Sequence, residues 1–389
     1  MNSEPLSLSA LRYLKSDRGK ALLSEASTAI QQGLNTQIRL RENHPAEFCR
    51  AALYLGELRI RALEKFPNAP EMFFDRDGYE MATRAEVADY RAQKLSHCDE
   101  ILDLCCGIGG DSMFLAQKAK VTAIDLSRTR IEMARFNCSL QKGRDVVFAV
   151  GDANHFATRT SAIFIDPARR KGGRRTRRGQ LYNPPISIAD TLRKLSPNIM
   201  IKVSPAIPEE ELPIDAEIEF ISSSRQCREG LIYWGPTATT QRRATVLPGP
   251  HTLTDDAKGE SCIDSPGAYL YDPDPAVVRA HLIDELARKI DAWKLDSQIA
   301  YLTNNHPIKT PFAKCYRILE VRPFGIKTLR KHLRKQGYFP FEIKRRRFPM
   351  EPSEIKRSLE VSTGDKPVVL VLSRISGKMT CLICENLGI

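Results

Sequence analysis

The chain has 389 residues, 42% of them hydrophobic and 27% charged, which suits two or three folded domains and excludes a chain that is disordered as a whole. No apolar run approaches the roughly 18 residues a membrane span needs. The N-terminal MNSEPLSLSALRYLKSDRGK scatters charge through a helical pattern where a secretory signal would carry an apolar core, so the expected compartment is the cytoplasm, with no membrane partner.

Residues 1–92 read as a helical segment. In HPAEFCRAALYLGELRIRALEKF, the apolar positions Phe48, Ala52, Leu55, Leu58 and Leu63 recur at helical spacing, and a further helix is predicted from Arg84 to Leu95, after FFDRDGYEMAT. From residue 93 to 247 the texture changes. Seven short apolar runs (EILDL, KVTAID, DVVFAV, AIFID, NIMIKVS, AEIEFIS and GLIYWG) alternate early on with helical DSMFLAQKA and TRIEMARFNCSLQ, which predicts βαβ units and a mostly parallel, doubly wound α/β sheet. The last two runs have only RQCRE between them, so the sheet is expected to end in an antiparallel hairpin. PGPHTLTDDAKGESCIDSPG then reads as a loop. Residues 248–315 are expected to form a linker and an α+β, ferredoxin-like connecting region, with DPAVVRAHLIDELARKIDAW helical. Residues 316–389 are expected to form a final α+β domain, in which helix IKTLRKHLRKQ is stopped by Gly337.

Lysine and arginine outnumber aspartate and glutamate 59 to 47, and two stretches hold the surplus. RRKGGRRTRR, from Arg169 to Arg178, contains no acid. Lys314–Arg347 has twelve basic residues against Glu320 and Glu342. In the helix within this second stretch, Ile326, Leu329 and Leu333 share one face while Lys327, Arg330, Lys331, Arg334 and Lys335 take the other. Charge concentrated in this way suits a polyanion, nucleic acid first and an anionic membrane surface second. Arg170, Arg174, Arg175, Lys331 and Arg345 are the expected substrate contacts. The ten cysteines, spread through apolar segments, are expected to be reduced. Cys381 and Cys384 form a CxxC that lies in a strand and lacks a second pair, so no metal is expected.

The chemistry concentrates at strand ends. EILDLCCGIGGDSMFLAQ places Asp103 at the end of a strand, and Cys105, Gly107, Gly109 and Gly110 in the turn that opens the next helix. A dinucleotide GxGxxG would need glycine at Ser112, so this DxxxGxG form favours S-adenosylmethionine, whose ammonium an acid such as Asp103 can pair. Asp125, ending KVTAID, is placed to accept ribose hydroxyls. Asp152, followed by Ala153 in GDAN, is placed to accept the adenine amino proton. Asp166 ends the fourth strand in IDPARR. Acids closing four successive strands all point to the carboxyl edge, where such sheets bind ligands.

The order DLCCGIGG, IDLS, GDAN and IDPARR resembles class I S-adenosylmethionine-dependent methyltransferases. DPARR stands where the amino-directed members carry DPPY, NPPY or DPPW. FFDRDGYEMATRAEVADY is similar to the segment before the core of cap-guanine-N2, trimethylguanosine synthase-like enzymes, whose Thr-Pro-Glu step falls on Thr83, Arg84 and Ala85. RILEVRPFGIKTLRKHL with FEIKRRRFPMEPSEIKRSL resembles bacterial THUMP-like domain-containing methyltransferases. The resemblance implies a Rossmann-like seven-stranded core and a THUMP-like C-terminal domain. It implies S-adenosylmethionine bound by Thr83, Asp103, Cys105, Gly107, Gly109, Asp125, Asp152 and Ala153, catalysis by Asp166, Pro167 and Arg169, and structured RNA (tRNA or rRNA) as partner. Relative to the amino-directed motif, Ala168 replaces the second proline and Arg169 replaces the stacking ring; an arginine there can stack on a base or grip a phosphate. A catalytically weak or inactive RNA-binding scaffold is the alternative function. An NAD-dependent oxidoreductase is disfavoured by Ser112 and the DPARR loop.

Overall fold

The computed structural model describes residues 6–32, 37–143, 145–155, 158–171, 174–256, 259–361 and 363–388. Two compact units divide the chain: residues 1–217 with 229–239, and residues 218–228 with 240–389.

The first unit opens with helices Leu8–Lys15, Asp17–Gln32, Gln37–Asn43, Ala46–Ala62, Arg76–Met81 and Ala85–Lys94. Local chemistry sets their starts. The Ser7 hydroxyl accepts the Ala10 N–H at 3.2 Å, and the Asp75 carboxylate accepts the Gly78 N–H. In Ala46–Ala62 the predicted positions Ala52, Leu55 and Leu58 are buried, and Phe48 is partly buried against the same core. Leu63, predicted to join that stripe, lies past the last helical residue and is 52% exposed. The buried stripes share one core with Phe66, Phe73 and Phe74, and with Ile108, Met113 and Met133. The helical layer therefore braces the glycine turn itself.

The sheet of this unit contains β1 (Glu100–Leu104), β2 (Lys120–Asp125), β3 (Val146–Val150), β4 (Ala162–Ile165) and β7 (Asn198–Val203). A small antiparallel ribbon, β5 (Arg170–Lys171) with β6 (Arg174–Arg175), follows β4. β1 runs parallel to β2 and β4, β2 to β3, and β4 to β7. All six residues of β7 are buried, and so are Ile101–Leu104 of β1, as expected of parallel strands covered on both faces. β8 (Glu217–Ser223) and β9 (Gln226–Trp234) make the expected hairpin, and β9 pairs antiparallel with β7, Ile199 facing Trp234. The predicted RQCRE connection shrinks to Ser224 and Arg225, both at positive φ, because two left-handed residues match the twist of a tight hairpin. The order in this unit is β3-β2-β1-β4-β7-β9. The chain winds one way from β1 and the other way from β4, so the β1/β4 boundary is the switch point at which ligands bind such sheets.

In the second unit β8 runs parallel to β10 (Arg242–Leu247), and β10 pairs antiparallel with β11 (His251–Thr254). Part of the predicted loop is thus a strand. A seven-stranded sheet contains β12 (Tyr269–Pro273), β13 (Trp293–Lys294), β14 (Leu302–Asn304), β15 (Ala313–Pro323), β16 (Tyr338–Arg346), β17 (Lys366–Ile375) and β18 (Lys378–Asn386), in the order β13-β14-β12-β15-β18-β17-β16. The helix predicted over DPAVVRAHLIDELARKIDAW is two, Pro275–Arg279 and Ile283–Lys289, with His281 between them at φ 61°. Leu370, Leu372, Cys381 and Ile383 pack on Leu329, Leu333, Ile355 and Leu359 of helices Ile326–Gln336 and Pro352–Leu359. Val369, Val371, Leu382 and Cys384 pack against Leu270, Tyr301 and Tyr316 on the other face. Strand alternation thus separates the two CxxC thiols onto opposite faces. Among the described residues no helix is long and apolar enough to cross a membrane.

Candidate active site

The turn after β1 is left-handed at Cys105, Gly107 and Gly109, with φ of 65°, 56° and 80°. Glycine is required at 109 twice over, since a Cβ there would come within 3.0 Å of Ala134 in helix Arg128–Ser139. At Gly107 a Cβ would meet nothing within 4 Å, so this backbone faces open space. Asp125, closing β2, fixes the turn: one carboxylate oxygen accepts the Gly107 N–H at 2.9 Å and the other the Ser127 N–H at 2.8 Å. Asp152, after β3, accepts from the Asn154 backbone and side chain at 2.9 and 2.8 Å, bonds that hold its carboxyl below the usual range. Ala153 is buried beside it in the short turn Ala153–His155.

Asp103 is fully buried at the end of β1. One oxygen accepts the Ser112 hydroxyl; the other, also buried, has no hydrogen-bond partner among the described residues. Burial first, then Asp111 and Asp166, push this carboxyl well above its ordinary range. Burial likewise pushes the Cys105 thiol up, with Asp125 adding to the shift, so Cys105 is no thiolate nucleophile.

A chain of buried polar contacts runs outward from this point. The Arg91 guanidinium, fully buried, pairs with Asp111 at 2.8 Å and with Glu229 at 2.7 Å, and lies over the Phe164 ring at 4.5 Å. Burial alone would lower the guanidinium, but Asp111 and Glu229 outweigh it and hold the cation above its usual value. Glu229 is raised by its burial despite Arg91. The Thr83 hydroxyl accepts from Arg91 at 3.3 Å, donates to Asp111 at 3.3 Å, and accepts from Lys202 Nζ at 2.8 Å. Lys202 Nζ donates to Asp166 Oδ2 at 2.6 Å. Asp103, Asp111, Asp166 and Glu229 thus share this interior with Arg91 and Lys202, and a cationic ligand beside Asp103 would favour the ionised form that burial opposes.

Asp166 follows β4, its N–H bonded to the Leu104 carbonyl at 3.2 Å, so the ends of β1 and β4 are held side by side. Pro167 is buried. Ala168 keeps an N–H that proline would lack and gives it to the Asn183 carbonyl at 2.9 Å; Asn183 returns the bond at 3.0 Å, closing loop 168–183 at its base. The Arg169 carbonyl accepts the Thr176 N–H at 2.8 Å, and the Arg169 side chain is half-buried. The Tyr182 hydroxyl accepts the Ser204 N–H at 3.1 Å.

The structure therefore brings Thr83, Asp103, Gly107, Asp125 and Asp166 to one sheet edge, with Cys105, Gly109, Asp152, Ala153, Pro167 and Arg169 in the loops beside them. Arg91, Asp111 and Glu229 escape a sequence reading. Arg91 and Glu229 are 138 residues apart, and nothing local marks either. Lys202 and Ser204 close the predicted run NIMIKVS, where they read either as walls of the pocket or as loop polar residues; Lys202 lies inside β7 and Ser204 directly follows it. Of the expected substrate contacts, the side chains of Arg170, Arg174 and Arg175 lie outside the described residues, while their backbones form the β5–β6 ribbon. Lys331 is exposed on helix Ile326–Gln336. Arg345 is engaged within its own unit, donating to the Phe348 carbonyl at 2.8 Å and pairing with Glu351. Neighbouring Lys344 and Arg346 are spent on Asp272, at 3.0 and 2.9 Å.

Three comparisons bear on this geometry. Residues 101–165 match the methyltransferase domain family, 313–386 the THUMP domain-like family, and 7–62 a domain family of unknown function. A crystal structure from Porphyromonas gingivalis W83 assigned as a methyltransferase superposes with a TM-score of 0.77 at 20% identity, covering 98% of both chains, which shows a shared fold. A segment making up 18% of this chain is 39% identical to an uncharacterized RNA methyltransferase of Oceanobacillus iheyensis, over 15% of that protein. Finally, an uncharacterized S-adenosylmethionine-dependent methyltransferase of Mycobacterium tuberculosis is 30% identical over 349 residues, 86% of this chain and 94% of that one. With a Rossmann-like core, a left-handed glycine turn and a sheet edge lined by carboxyl groups, this chain belongs to the S-adenosylmethionine-dependent methyltransferases.

Proposed function

We propose that this enzyme methylates a base nitrogen of structured RNA, tRNA or rRNA, with Asp166 receiving the acceptor's N–H. The observation that carries the proposal is the position of Asp166, at the switch point and against the end of β1, with 18% of its side chain open to solvent. Bound S-adenosylmethionine supplies a methyl group on a sulfonium. Asp125 would accept the ribose hydroxyls, Asp152 and Ala153 would border the adenine, and Asp103, one of whose oxygens has no hydrogen-bond partner among the described residues, would hold the cofactor's ammonium. Gly107 lets the ligand lie against backbone. Asp166 would orient the acceptor nitrogen toward the methyl group, and positioning in a site shielded from water would do most of the catalysis. Transfer would form the carbon–nitrogen bond, break the sulfur–carbon bond and leave the nitrogen cationic, and Asp166 would take its N–H proton and pass it to water. Arg169, in place of a stacking ring, packs on the base or holds its phosphate.

RNA as the substrate is supported by the THUMP domain-like match, by the partial RNA methyltransferase relative, and by the exposed Lys327, Lys331 and Lys335 of helix Ile326–Gln336. The test is mass spectrometry of nucleosides from total RNA of cells with and without the gene, followed by single-turnover transfer to the RNA that loses a methyl. Asp166→Ala should slow transfer about 100-fold or more while RNA affinity holds. Unchanged nucleosides together with normal RNA binding would favour the scaffold; a normal rate for Asp166→Ala would remove the proposed proton acceptor.

A further inference from the structure

A lysine within a fully buried parallel strand needs a reason. Every residue of β7 is buried, and Lys202 stands opposite Leu231 of β9, a place where an aliphatic side chain would pack without the cost of burying an ammonium. Two of its three N–H bonds are accounted for, at 2.6 Å to Asp166 Oδ2 and 2.8 Å to Thr83 Oγ1. Thr83 is itself held by Arg91 and Asp111 at 3.3 Å each, and Arg91 is locked by Glu229. The ammonium is thus fixed from β7, from the end of β4 and from the segment before helix Ala85–Lys94. It occupies one oxygen of the carboxylate on which the proposed reaction depends.

We propose that Lys202 is a positioning residue for methyl transfer. By holding Asp166 Oδ2 it fixes the carboxylate rotamer and leaves Oδ1 as the single oxygen presented to the acceptor. Among the described residues Oδ1 has no partner of its own. The acceptor therefore meets a pre-set, one-oxygen site that accepts one N–H in one direction. An unpaired carboxylate could rotate and offer either oxygen to water. The inference rests on the reading that Asp166 receives the acceptor's N–H.

The test is a double-mutant cycle on the full-length protein, with wild type, K202M, D166N and the double variant compared in single-turnover transfer of labelled methyl to RNA from cells lacking the gene. K202M should slow transfer about 10- to 100-fold, as displacement of a reacting group does, with S-adenosylmethionine affinity within about twofold of wild type. K202R, which still pairs with Oδ2, should recover part of the rate. In the D166N background, Lys202→Met should cost less than about twofold, because its effect passes through Asp166. A loss of equal size in both backgrounds would show a merely structural lysine and overturn the inference. Should K202M misfold with an unpaired carboxylate inside it, D166N against the neutral double variant, and K202R against wild type, still decide. The pair is also read without any acceptor. In protein labelled with 13C-aspartate, the Asp166 carboxyl signal, assigned by its loss in D166N, should move in K202M and return in K202R. A signal that does not move sinks the inference whatever the RNA does. A signal that moves as expected in an enzyme giving no methyl to RNA refutes the RNA reading instead and sustains the hold of Lys202 on Asp166.

Discussion

Asp125 ties the cofactor turn to the sheet, and its removal has a cost that follows from its bonds. Asp125→Ala frees the Gly107 N–H, now held at 2.9 Å, and the Ser127 N–H, held at 2.8 Å. Hydrogen bonds to a charged group contribute about 1.5–3 kcal/mol each, and Asp125, half-buried, belongs at the lower end. Only the Gly107 bond shapes the face proposed for the cofactor, so about 1.5 kcal/mol is assigned to the turn. Losing the proposed acceptors for the ribose hydroxyls costs about 1–3 kcal/mol more. The sum, roughly 2.5–4.5 kcal/mol, corresponds to a rise in the Kd for S-adenosylmethionine of about 60- to 1,600-fold at 1.4 kcal/mol per decade. Asp125→Asn keeps the volume but has one acceptor oxygen for two N–H groups, so a rise of about tenfold is expected. Isothermal calorimetry with S-adenosylmethionine and S-adenosylhomocysteine measures both, with circular dichroism confirming that the variants fold. A Kd for Asp125→Ala within about twofold of wild type would refute the argument, because the turn would then be held by something other than this carboxylate.

Asp103→Asn should separate stability from binding. Burial raises the Asp103 carboxyl, so folding favours its neutral form: the stability linked to it is complete below the ordinary carboxylate range and is lost as pH rises through the raised value. The amide abolishes that pH slope and should raise the melting temperature at neutral pH by a few degrees, while S-adenosylmethionine affinity falls; calorimetric melts across pH 4–8 read the first effect and titration the second. On the second unit, replacing the exposed Lys327, Lys331 and Lys335 by alanine should make the salt dependence of RNA binding shallower by about 2 in the slope of log affinity against log salt, at about 0.7 for each phosphate no longer neutralised. The same three substitutions should leave the calorimetric Kd for S-adenosylmethionine unchanged.

Features that depend on neighbours along the chain could be read from the residues alone. Apolar runs of β length marked seven of the nine strands from Glu100 to Trp234, all but the two-residue β5 and β6, since strands that bury their side chains are rich in apolar residues. The acids Asp103, Asp125, Asp152 and Asp166 were legible because each closes or directly follows such a run, and parallel strands deliver their carboxyl ends to one edge. Gly107 and Gly109 showed the turn because only glycine visits left-handed backbone freely. Helix Pro352–Leu359 has an equally local start, written in EPSE, where Glu351 and Glu354 cap each other around a proline at the first helical position. Which charges are spent and which are free emerged only on folding. Lys344, Arg345 and Arg346 look like Lys327 and Lys331 in the sequence, yet Asp272 and Glu351 neutralise the first three. Folding also chose the partners of the buried charges. A charge withdrawn from water needs a counter-charge within a few ångströms, and strand order, not sequence distance, supplies it. Glu229 reaches Arg91 because β9 returns beside β7, and Lys202 reaches Asp166 because β7 lies next to β4, so the network around the reacting carboxylate comes into being only when the sheet closes.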